Sequence, residues 1–98
     1  MGEYNILKNV KDGEYFKIDL FALDEKNIEL LKNIMINEGD VIRVIRREEE
    51  PINSIVVETK EGTLVSIYGS YAEKCYGFII EPKIINLEER KESFQKRK

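Results

Sequence analysis

The chain has 98 residues, 42 % hydrophobic and 36 % charged, with a formal net charge of −3. That length is one domain and one modest core, burying about 60 to 70 % of the unfolded surface. The acidic balance argues against indiscriminate binding to nucleic acid or to anionic membranes.

Several absences narrow the function further. There is one cysteine, Cys75, so no internal disulfide forms, and the composition fits a reducing cytosol. There is no histidine, which removes the commonest general base and a frequent transition-metal ligand. No apolar run approaches the ~20 residues of a membrane span. The start, MGEYNILKNV, lacks the basic-then-apolar order of a secretory signal, and Ile6 stands where a myristoylation signal needs Ser or Thr. A soluble cytoplasmic protein is the expectation.

Tyr4 to Val10 reads as a short apolar lead-in, followed by a turn at Lys11 to Glu14. Tyr15 to Leu23 alternates as a strand, with Phe16, Ile18 and Leu20 assigned to one side and Tyr15, Lys17, Asp19 and Phe21 to the other. Asp24 is suited to cap a helix, and Glu25 suits the positive end of its dipole. Over Glu25 to Met35, Ile28, Leu31, Ile34 and Met35 recur at helical spacing with Glu29, Lys32 and Asn33 between them. Gly39 then accommodates a turn, with Asn37 a second site for left-handed backbone at the helix exit.

Val41 to Arg47 is β-branched apart from its arginines and predicts a strand, ended by Glu48-Glu49-Glu50-Pro51. Ile55 to Lys60 is the next strand, with Ile55, Val57 and Thr59 facing one way. Lys60 to Thr63 turns the chain into a strand over Leu64 to Tyr68. Ser70 and Glu73 have the spacing of a capping box around one helical turn. Gly77 to Glu81 is the last strand, closed by Pro82. Five short strands and one helix predict an all-β fold, a small β-barrel with its helix after the first strand. Residues 1–87 form that domain, and 88–98, EERKESFQKRK, form a helix-permissive charged tail expected to fray.

The chemistry-bearing residues are sparse. Cys75, Asp40, Glu48, Glu49, Glu50 and Glu58 are the metal-ligand types, but three adjacent glutamates on extended chain point to alternate sides and cannot close on one ion. We expect no resident metal and no cofactor. Cys75 reads as a small buried hydrophobe. Ser54, Ser66 and Ser70 have no histidine to activate them, and no phosphate-cradling glycine loop is present, so no enzymatic activity is expected. Arg43, Arg46 and Arg47 form a basic cluster whose simplest use is pairing with Glu58 or the acidic loop. Tyr68, Tyr71 and Tyr76 bracket the short turn, either as an aromatic partner surface or as the rim of the core. Met35, at the helix exit, is either an adaptable contact or core filler.

In order, Leu7, Gly13, the apolar strand, then Leu31, Ile34, Ile36, Gly39 and Ile42, and later Val65, Ser66, Ile67 and Ala72, resemble the ferrous iron transport protein A (FeoA) family. The resemblance covers residues 7–80. It departs at Met35, where the family usually has glycine, and at Glu38, where it usually has proline. It implies an SH3-like barrel and a non-enzymatic accessory role beside the FeoB-type ferrous iron transporter, exercised on that transporter's cytosolic domain. It leaves open a free-standing module of metal-responsive repressors, a small-barrel nucleic-acid binder, and self-association. On residue type and placement outside strand interiors, the expected contact residues are Met35, Asn37, Tyr68 and Tyr71, with Arg46 a charged neighbour that adjusts association rate and salt dependence.

Overall fold

A computed structural model describes residues 2–80. The tail expected at 88–98, and the chain from Glu81 onward, lie outside the described residues, as does the division at residue 87.

Six strands form one antiparallel sheet rather than five. They are β1 (Glu3–Ile6), β2 (Tyr15–Phe21), β3 (Val41–Glu48), β4 (Ser54–Glu58), β5 (Leu64–Tyr68) and β6 (Cys75–Ile80), in the order β1-β6-β2-β3-β4-β5. The sheet curls around a core without closing, leaving β1 and β5 as its edges. Helix α1 (Glu25–Asn33) joins β2 to β3, so it follows the second strand, and α2 (Gly69–Ala72) is one turn between β5 and β6. The additional strand is β1, the supposed lead-in. Only half of its residues turn toward the protein, so its sequence carries almost no period-2 signal, and pairing of Tyr4 with Phe78 makes it a strand.

The core contains Leu7, Val10, Phe16, Ile18, Phe21, Leu31, Ile36, Ile42, Val44, Ile55, Val57, Ile67, Ala72 and Cys75, all buried. β2 departs from its expected alternation. The register of β2 against β6 shifts between Ile18 and Leu20, a bulge that reverses the two faces beyond Asp19. Phe21 is therefore buried, while Leu20, assigned to the core by alternation, is 46 % exposed. Gly77 sits opposite Ile18 at this crossing, where a β-carbon would collide with the Lys17 carbonyl oxygen and lie 2.9 Å from Phe16 Cζ. Glycine lets β6 approach β2 closely over Phe16.

The link between α1 and β3 is built from hydrogen bonds. The Asp24 side chain accepts from the Asn27 N–H at 3.1 Å and caps α1. At the other end the Ile36 N–H donates to Leu31 O and the Met35 N–H to Lys32 O, both at 2.9 Å. These two bonds are a Schellman closure, with Met35 at the position that glycine usually fills. Met35 has φ +71°, so the left-handed residue at the helix exit is Met35, not Asn37. Helix α1 accordingly stops at Asn33, two residues short of the expected end. Gly39 (φ +93°) makes the following turn. Asp40 is buried there, with Lys60 Nζ 3.3 Å away, which ties this loop to the β4–β5 turn.

The helical turn near residue 70 exists, but Ser70 does not cap it. α2 begins one residue earlier, behind Tyr68, with no side-chain cap, and Glu73 ends it and pairs with Lys8 at 2.6 Å. β6 begins at Cys75, two residues before the expected strand, because Cys75 and Tyr76 pair with Phe21 and Leu20 across the bulge. β4 ends at Glu58, since the Thr59 hydroxyl accepts the Thr63 N–H at 3.2 Å and draws Thr59 into the turn.

Candidate functional site

The edge strand β5, the turn α2 and one face of α1 enclose an apolar groove of about 290 Å³. Its walls are Leu30, Leu31 and Ile34 from α1, Ser66, Ile67 and Tyr68 from β5, and Tyr71 from α2. Leu31 and Ile67 are also core residues, so the floor of the groove is the core itself. Leu30 and Tyr68 stay 49 % and 52 % exposed, so large apolar side chains line an open concave surface.

The two tyrosines play different parts. Tyr68 lies on the outer face of β5, and its ring meets that of Tyr71 with centroids 5.7 Å apart at 46°. Tyr71 is half-buried and packs against the core, and its hydroxyl donates to Asn27 Oδ1 at 2.8 Å. Asn27 Nδ2 in turn donates to Asp24 Oδ1, also at 2.8 Å. The helix cap thus holds Asn27, and Asn27 holds Tyr71. Tyr71 is both rim of the core and wall of the groove, whereas Tyr68 is free to contact a partner.

The other expected residues do not line the groove. Met35 follows Ile34 immediately and is 42 % exposed, with its side chain in solvent despite a backbone that costs an L-residue about 1–2 kcal/mol. Asn37 is partly buried and occupied with the turn, its N–H donating to Asp40 Oδ2 at 3.2 Å. Arg46 lies on β3 and pairs with Glu48 at 3.0 Å. Arg43 stands over the Tyr15 ring at 5.8 Å, beside Glu58 in the register. Tyr76 is not at the groove either. On the outer sheet face Tyr4 packs edge-on against Phe78 (4.8 Å) and stacks near Tyr76 (6.5 Å), beside exposed Leu20.

Sequence reading missed Leu30, the most exposed residue of the helical wall. The available signal was the Leu30-Leu31 pair, because Leu30 falls one step outside the stripe of Ile28, Leu31 and Ile34. The Tyr4–Phe78 patch was missed for want of β1.

Cys75 is buried, and burial pushes its thiol up to about 12. Among the described residues, no group of three or more Cys, Asp or Glu side chains comes together as metal ligands. No helix among the described residues is long and apolar enough to cross a membrane.

No protein-family model matches the chain, and no curated protein matches it significantly. Solved structures do match. A crystal structure of an iron uptake regulatory protein (FeoA) superposes with TM-score 0.68 at 15 % identity, over 80 % of this chain and 100 % of that one. FeoA from Chlorobium tepidum superposes with TM-score 0.67 at 20 % identity, over 79 % of this chain and 71 % of the other. A manganese-dependent transcriptional repressor superposes with TM-score 0.71 at 18 % identity, over 82 % of this chain but only 38 % of the repressor. At these identities the likeness is one of fold. The chain folds as an FeoA-like SH3-type domain, its sheet left open at β5.

Proposed function

We propose that this protein is a non-enzymatic accessory module of ferrous iron uptake. It acts in the cytoplasm by docking the cytosolic domain of an FeoB-type transporter in the groove between α1 and β5. The observation that carries this reading is the groove itself, a concave apolar surface with half-exposed Leu30 and Tyr68, on an FeoA-like fold. Aromatic and aliphatic anchors in such a concavity supply most of an interface's energy. Tyr68 is the principal anchor, Tyr71 the fixed wall, and Met35 an adaptable contact at the groove's end. Asn37 shapes the turn behind Met35. Arg46 adjusts association rate and salt dependence from outside the contact.

The likeness to a manganese-dependent repressor supports a second reading, a module of metal-responsive regulation. Co-purification separates the two. The first reading expects the full chain to retain the transporter's cytosolic domain, and to lose it in Tyr68→Ala. Retention of a repressor's DNA-binding portion instead, with no transporter domain held, would favour the second.

A further inference from the structure

The two edges of the sheet are treated differently. β1 is short and carries Glu3 and Asn5, and Asn5 Oδ1 accepts the Ile6 N–H at 2.8 Å. Charge and a side chain bonded to backbone both discourage another strand from adding there. β5 has none of these devices. From Thr63 to Ser70 the sequence TLVSIYGS has no charge and no proline, and β5 pairs with β4 without a bulge.

The direction of its free backbone groups follows from the register. Leu64 faces Glu58, and the flanking bonds are Thr59 N–H to Thr63 O at 2.8 Å and Gly69 N–H to Asn53 O at 2.9 Å. Bonded pairs alternate in an antiparallel ladder, so Val65 and Ile67 exchange bonds with Val57 and Ile55. Leu64, Ser66 and Tyr68 therefore direct their N–H and C=O groups away from β4. Tyr68 is the N-cap of α2, so its C=O serves the helix; among the described residues no strand pairs with the other outward groups.

We propose that β5 is a self-pairing edge, on which a second copy of this chain adds its own β5 antiparallel about a two-fold axis at Ser66. Leu64 then pairs with Tyr68 of the second copy and Ser66 with its counterpart; Leu64 and Ser66 offer outward N–H and C=O groups, and Tyr68 its N–H. The side chains match the same register. Leu64, 55 % exposed, lies against the exposed Tyr68 of the second copy on the outer face. Charge permits the approach, because two chains of net −3 meet along a stretch that carries none. A five-residue edge from each copy is a small contact beside the ~800 Å² per partner of a standard interface, so the dimer is weak and exchanges. It uses Tyr68, so dimerisation withdraws the groove's principal anchor from any other partner. The inference stands on the edge strand and does not depend on who that partner is.

Sedimentation of the full chain from about 10 µM to about 1 mM, with amide exchange measured alongside, tests it. We expect concentration-dependent dimers, with exchange at Leu64, Ser66 and Tyr68 slowing in step. Ser66→Pro removes an outward donor and no β4–β5 bond, and should weaken the dimer at least tenfold. If Ser66→Pro fails to fold, Leu64→Lys serves the same purpose, placing like charges near the junction. A monomer throughout would overturn the proposal. So would a dimer that survives in the folded variant, such as one through the Tyr4–Phe78 face. Protection of the three amides at every concentration would also overturn it, because the edge is then covered within the chain.

Discussion

The Tyr71 hydroxyl donates to Asn27 Oδ1 at 2.8 Å, joining residues 44 positions apart and fixing α2 against α1. Because Asn27 is itself held by the cap residue Asp24, one short chain of hydrogen bonds sets the width of the groove. Tyr71→Phe keeps the ring and loses the bond. It should cost about 1 kcal/mol of stability, read from urea denaturation. Asn27→Ala should cost at least as much, since it leaves the Tyr71 hydroxyl without its acceptor.

Met35 is held at φ +71° with its side chain exposed, so its backbone opposes stability and its side chain contributes little to the core. Met35→Gly should raise stability by about 1 kcal/mol, a melting temperature ~4–8 °C higher for a domain of this size. If Met35 also contacts the partner, the same variant binds more weakly. A stabilised protein with weaker binding would show the strain to be retained for contact.

Gly77 is the close approach of β6 to β2 above Phe16. Gly77→Ala should destabilise by about 3 kcal/mol, because the obstacle to a β-carbon is the Lys17 carbonyl, part of the ladder itself. Gly62→Ala, with open space around its β-carbon but φ +88°, should cost less than Gly77→Ala. Parallel thermal melts compare the two.

Cys75 has its thiol pushed from an ordinary 9.0 up to about 12 by burial, with the charge of Glu38 adding to it. The folded state thus disfavours the thiolate. The stability this contributes is complete below pH 9 and is lost as pH rises from about 9 toward 12. Native protein at pH 8 should resist iodoacetamide, and denatured protein should react completely, as mass spectrometry would record.

Most of the scaffold was legible because its signals were local. Asp24 caps α1, Gly39 and Gly62 turn the chain at positive φ, and Ile55 and Val57 both enter the core as expected. What escaped depended on distant partners. β1 is a strand because β6 lies beside it, and the bulge after Ile18 that exchanges Leu20 for Phe21 is a property of β2 paired with β6. Of the contact residues, Tyr68 and Tyr71 come together at one groove because turn α2 places them so. Asn37 and Arg46 were chosen for lying outside strand interiors or near a charge cluster, criteria that cannot distinguish a surface from a turn's own hydrogen bonds. Leu30 required knowing where β5 ends.

The central claim is that the groove between α1 and β5 receives the transporter's cytosolic domain. It is tested most directly by titrating that domain into isotope-labelled full chain and following backbone and methyl resonances. The account predicts shifts concentrated at Leu30, Ile34, Met35, Tyr68 and Tyr71, and affinity weakened about 30-fold, ~2 kcal/mol, in Tyr68→Ala with the fold intact. Shifts confined to Tyr4, Leu20, Tyr76 and Phe78, or binding unchanged in Tyr68→Ala, would contradict it.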